Sequence, residues 1–204
     1  MLHVRFNLLA ADPLRLGDSM KYLEAEVRPL AESLRGSLGM ALYANPELGV
    51  AIAESFWASD EAVVQSGLMV GPGRHEVVRR AAGTVCVERY QVPVFEQYGP
   101  LAAGAGLRLA RMDIEPASVA DVIEAYGDTA VPQLAGTEGF CAALLFADQN
   151  TGRLISETLW QSPGALAASR SAGAAARAQT VASTGCAVRA VEEYGLVFNS
   201  ARKA

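Results

Sequence analysis

The sequence predicts an α+β chain of two β-α-β-β-α-β repeats, each covering the open sheet face of the other. Three observations carry this. Glu-x-x-Trp-x-Ser stands at 54–59 and again at 157–162, 103 positions apart. At that offset, residues 29–66 match 132–169 at eleven of 38 positions without a gap, among them Pro29/Pro132, Gly36/Gly139, Gly49/Gly152 and Ile52/Ile155. Both halves also pass through the same succession of period-two and period-3.6 hydrophobic patterns.

The elements follow in order. HVRFNLL (3–9) and LRLARMDI (107–114) alternate as strands do, and amphipathic stretches follow at 15–34 and 118–135. The turn between them takes about three extra residues in the first copy (AADPLRL against EPAS), which sets Asn7 opposite Asp113. Residues 40–57 then read as two strands around Asn45-Pro46-Glu47-Leu48-Gly49, with 142–160 as their partner. Ser59 and Ser162 open the second helices, their side-chain oxygens suited to capping. TVCVERYQVPVF (84–95) and AVRAVEEYGLVF (187–198) are the last strands. This is the ferredoxin-like order twice: repeat 1 over 1–98, a Gly/Ala-rich linker over 99–106, and repeat 2 over 107–204.

A single four-stranded sheet of this kind has helices on one face only. On the third strand Val50, Ile52 and Phe56 make one face, and Ala51, Ala53, Ser55 and Trp57 the other, so both faces are fit for burial. Two such sheets face to face give an intramolecular dimeric α/β barrel. Glu54 and Glu157 share the face of Ile52. Turned inward they suit paired acid–base work; at a rim they bond to water or Arg.

Composition bounds the function. Hydrophobic residues make up 51% of the chain and charged ones 19%, enough for a folded core. A net charge of −5 argues against nucleic acid and anionic membranes as partners. No apolar run approaches ~18 residues, and the N-terminus lacks the pattern of a signal peptide. Cys86, Cys141 and Cys186 form no CxxC and read as buried free thiols in a reducing cytoplasm. No GxGxxG or P-loop marks a flavin, nicotinamide or nucleotide site, and no spacing suits zinc or calcium.

At ESFWASDEAV (54–63) the sequence resembles the antibiotic-biosynthesis-monooxygenase (ABM) superfamily of dimeric α/β barrels, in which an aromatic ends the third strand before Ser-Asp-Glu-Ala opens the second helix. The resemblance covers nearly the whole chain twice, and the tandem form is similar to two-copy actinobacterial proteins. It implies fold more firmly than chemistry, since members include quinol-oxidising and haem-degrading enzymes. The first copy resembles the mycobacterial haem-degrading monooxygenases, whose strand Asn and iron-ligating His correspond to Asn7 and His75; Ser66 stands where they carry a Trp that distorts the macrocycle.

Around that comparison the residues predict one pocket, in the first copy. Gly71-Pro72-Gly73 breaks the second helix just before His75, opening space between helix and sheet. The second copy's ASRSAGAAARAQTVAS lacks a Pro and a His and reads as the more regular helix of a degenerate repeat. Asn7 and His75 are the expected catalytic pair, with His75 the haem-iron ligand if haem binds. Ser66, Arg74, Arg79 and Trp57 are the expected ligand-binding residues, with Arg80 beside them suited to propionates. The expected activity is an ABM-like oxygenase on a planar aromatic or tetrapyrrole, needing no cofactor or using haem as ligand or substrate. The alternatives are a non-catalytic haem or small-molecule binder and a stress-related barrel without activity. The expected state is an intramolecular pseudo-dimer, with a further homo-oligomer left open.

Overall fold

A computed structural model describes residues 1–202 of the chain. The chain divides into two compact units, Met1–Tyr90 with the segment from Leu196 onward, and Gln91–Gly195. These limits differ from the predicted 98/107 boundaries: each falls inside a long last strand, and the 99–106 linker lies within the second unit.

In the first unit, β1 (His3–Ala10) leads to α1 (Pro13–Tyr22), which Asp12 caps by accepting from Leu14 N. A π-turn, Leu23–Val27, joins α1 to α2 (Arg28–Ser33). The hairpin of β2 (Ser37–Asn45) and β3 (Val50–Trp57) turns through Pro46–Leu48. Asn45 Oδ1 accepts from Leu48 N there, and Gly49 at φ 66° takes the left-handed position that a side chain disfavours. Ser59 then caps α3 (Asp60–Ala81), which leads to β4 (Thr84–Gln97). The core lies between helices and sheet, with Leu16, Leu42, Ala51, Val70 and Val77 at its centre.

In the second unit, β5 (Gly106–Asp113), α4 (Val119–Ala125), a π-turn at Tyr126–Ala130 and α5 (Val131–Ala135) follow. Next come the hairpin of β6 (Phe140–Asp148) and β7 (Arg153–Trp160), α6 (Pro163–Ala168), α7 (Arg170–Thr184) and β8 (Ala187–Asn199). Its core gathers Val122, Leu134, Leu145, Leu154 and Trp160. The strands are hydrogen-bonded in the closed order β1-β3-β2-β8-β5-β7-β6-β4.

Three expectations are corrected. Arg5 pairs with Ser55 and Asn7 with Ala53, while Arg108 pairs with Thr158 and Ala110 with Ser156. The offset of 103 therefore holds through the first strands, and Asn7 corresponds to Ala110 rather than Asp113. No three-residue gap is needed, because Pro13 and Pro116 already stand 103 apart. The second correction reverses the helices. α3 runs 22 residues with Pro72 inside it, while its counterpart, which has Pro163 only at its start, divides at Ser169, where ψ is −2°. Pro72 is exposed, and the carbonyl it deprives of a donor belongs to the exposed Leu68, so water can serve that acceptor. Third, of the thiols expected to be buried, Cys86 is exposed; Cys141 and Cys186 are buried.

Candidate functional site

β1 alternates, so Arg5, Asn7 and Leu9 share the face that meets the helices. That face, with Ala51, Ala53 and Ser55 of β3, borders a cavity of about 60 Å³ within the first unit. Its wall is chiefly apolar; Met20, Leu23, Val27 and Val70 close it from the helical side. The π-turn brings Leu23 and Val27 to this wall, the kind of local widening often found beside functional pockets.

Two buried polar groups lie on this wall. Arg5 is only 4% exposed, yet it carries a guanidinium. Its Nη2 donates to the carbonyl of Val63 and, at 2.9 Å, to Ser66 Oγ, and the group lies 5.7 Å from the ring centroid of Trp57. Its Nη1 is buried with no hydrogen-bond partner among the described residues. Asn7 donates from Nδ2 to the Ala53 carbonyl at 2.9 Å, which leaves Oδ1 buried without a partner. An unpaired donor and an unpaired acceptor on one largely apolar wall each forgo a hydrogen bond within the protein.

The charge is uncompensated as well. Burial, followed by the nearby Arg74 and Arg89 charges, brings the Arg5 pKa down to about 10. Arg74 lines the cavity half-buried and has no ion-pair partner among the described residues. A small chamber thus holds a hydrogen-bond acceptor at one point and two guanidiniums without a carboxylate at another.

The predicted residues divide accordingly. Asn7 and Arg74 meet at the cavity. Ser66 and Trp57 are buried around Arg5 and are absent from the cavity wall: Ser66 accepts from the guanidinium and Trp57 lies beside it, its Nε1 donating to Ser55 Oγ at 2.9 Å. His75 is solvent-exposed and is not on the wall. One residue along an α-helix turns the side chain by roughly 100°, so Arg74 facing the cavity carries its neighbour outward. Arg79 is exposed and pairs with Glu76, as does Arg80. Those bonds, Arg79's first, hold the Glu76 carboxyl down at about 2. Glu54 is fully buried on the opposite face of β3 from the cavity.

Arg5 is the residue that sequence reasoning missed. Its signal was present, since Arg5/Arg108, Trp57/Trp160, Ser66/Ser169 and Arg74/Arg177 all recur at 103. The second unit builds the same cradle: Arg108, 3% exposed, donates from Nη1 to Ser169 Oγ at 2.9 Å and from Nη2 to the Leu166 carbonyl at 2.6 Å. There, however, Glu193 Oε1 accepts from Arg108 Nε at 3.1 Å and Nη2 at 2.8 Å, while Glu193 Oε2 accepts from Arg170 at 2.7 Å. Those partners, Arg170 first, lower the Glu193 pKa. The cavity beside them is about 30 Å³, and Ala110 replaces the Asn.

Among known proteins, no family model matches the chain. Two uncharacterised Mycobacterium tuberculosis proteins, Rv2557 and Rv2558, are each 26% identical to it, over 91% and 97% of its length and 83% and 84% of theirs. Among solved structures, an anthrone oxidase-like protein superposes over 100% of this chain and 95% of its own (TM-score 0.69, 16% identity). A candidate monooxygenase from Lactobacillus acidophilus matches 98% and 94% (0.68, 11%). The haem-degrading enzyme LmHde from Listeria monocytogenes matches 94% and 98% (0.53, 10%). At these identities the likeness establishes the fold and leaves the chemistry to the site.

Proposed function

We propose that the chain is a tandem two-copy relative of the ABM superfamily whose first repeat works as an oxygenase on a small planar aromatic ligand. The observation that supports this is the apolar cavity carrying the unpaired Asn7 Oδ1 and Arg5 Nη1. A ring hydroxyl donates to Asn7 Oδ1, which fixes the ring's orientation. The guanidiniums of Arg5 and Arg74 set a positive potential that favours an anionic, electron-rich form of the ligand. Such a ring can itself reduce dioxygen, and the apolar wall limits the water around the reacting centre. At about 60 Å³ the chamber is smaller than the ~150 Å³ that admits one benzene. The long side chains of Met20 and Arg74 are the parts of its wall most able to yield.

Haem does not fit these residues. His75 faces solvent away from the cavity wall, and Ser66 is engaged with Arg5. The macrocycle is also many times larger than the chamber.

Oxygen uptake should be followed with a panel of neutral single-ring hydroquinones and phenols, comparing the wild-type chain with Asn7→Ala. Turnover is expected, with kcat/KM at least ~10-fold lower in the variant, the loss of about one good buried hydrogen bond. No uptake above the protein-free rate, or a rate indifferent to the variant, would sink the reading. A hemin titration beside His75→Ala completes the test. No Soret shift that depends on His75 is expected; a saturable shift lost in the variant would reinstate haem.

A further inference from the structure

Two of the differences between the cradles change the charge beside the guanidinium. Glu193 and Arg170 of the second unit correspond, at the 103 offset, to Tyr90 and Gly67 of the first. The groups that hold the guanidinium are kept: Arg5 for Arg108, Ser66 for Ser169, Arg74 for Arg177, and the helix carbonyl of Val63 for that of Leu166. In one unit a carboxylate of the chain sits on the guanidinium, clamped by a second Arg. In the other both are missing, and among the described residues no carboxylate bonds to the Arg5 guanidinium. A Cβ on Gly67 would come within 3.3 Å of Arg5 Nη2, so the position leaves little room for a larger side chain beside the guanidinium.

We infer that the first cavity binds its ligand through a carboxylate, taken by Arg5 Nη1 and Arg74, so that the ligand supplies the counter-charge that Glu193 supplies to Arg108 in the second unit. The ligand class is thus a small apolar or aromatic carboxylate. Three features favour a carboxylate over a bulkier anion. The chain's own solution to the same cradle is a carboxylate held by two hydrogen bonds to one oxygen. The planar guanidinium matches that group. The remainder of the wall is apolar, and a small hydrocarbon body enters the chamber of about 60 Å³ as the flexible Met20 side chain yields. Arg5 is more than nine-tenths buried with an unpartnered N–H, which is an expensive arrangement unless a ligand completes it.

This inference rests on the cavity site proposed above and is tested separately from it by calorimetric titration with benzoate and its uncharged isostere benzamide. Benzoate should bind saturably, one per chain, at least ~10-fold tighter than benzamide, and weaken at least ~5-fold in Arg74→Gln, a half-buried helix position expected to fold normally. Tyr90→Glu should abolish benzoate binding by supplying the missing carboxylate from within; circular dichroism and the unfolding midpoint check that the variant is folded. Equal binding of the two probes overturns the inference while leaving the cavity as a neutral-ring site. No binding of either, with hydroquinone turnover intact, overturns it alone. Benzoate binding that Arg74→Gln leaves unchanged overturns the assignment to this cradle. Benzoate binding as expected without oxygen uptake on any phenol sinks the oxygenase reading and not this one.

Discussion

Glu193→Gln offers the most direct measure of what a carboxylate contributes to this cradle. Arg108 is 3% exposed and keeps Ser169 and the Leu166 carbonyl in the variant, but loses its counter-charge. Removing one partner of a fully buried ion pair costs about 3–5 kcal/mol. The Glu193 side chain is 28% exposed, so water recovers part of this, and about 2–3 kcal/mol is expected. For a chain of this length that lowers the unfolding midpoint by roughly 4–12 °C. The pH dependence has a definite sign. The folded-state pKa of Glu193 lies below its ordinary 4.5, so its contribution is present above 4.5 and is lost as pH falls through the folded value. The gap between wild type and variant should therefore be full near pH 7 and close in acid. Differential scanning calorimetry at several pH values reads both. In Glu193→Ala, which also opens space, acetate should restore part of the midpoint while equimolar acetamide does not. A variant within ~0.5 kcal/mol of wild type at pH 7, or acetate and acetamide acting alike, would refute the reasoning.

Two further expectations concern the rest of the chain. Pro72→Ala should raise stability in urea unfolding by about 1–3 kcal/mol, because α3 continues through that exposed position and regains a helical N–H; an unchanged or lowered stability would mean the helix does not run through it. A thiol reagent should modify Cys86 rapidly in the native protein. Cys141, whose thiol burial pushes up, and Cys186 should react only on unfolding, and three fast thiols would contradict that packing.

The element order was legible because alternation and helical periodicity are local and because each half repeats the other. Turns were equally plain: Gly49 and Gly152 hold left-handed backbone at matching places. The helix reversal was not legible. A Pro is a breaker on average, and whether α3 tolerates it depends on Leu68 and Pro72 facing water, a tertiary fact. The site was half legible. Asn7 and Arg74 were named from sequence, but a gap assumed after the first strand hid the correspondence of Arg5 with Arg108, which carries the most informative contrast. His75 drew attention as one of two histidines in the chain, a chemical rarity that says nothing of direction on a helix.

Glu193 is joined to its receptor by the backbone, so its local concentration cannot be diluted, dialysed away or out-competed at ordinary ligand levels. Each molecule accordingly carries, beside the proposed site, a second guanidinium cradle whose carboxylate is built in. Saturation at one equivalent per chain, rather than two, becomes a number with structural meaning. Any solvent, salt or temperature effect on a guanidinium already paired with a carboxylate can be read from the second cradle of the same polypeptide.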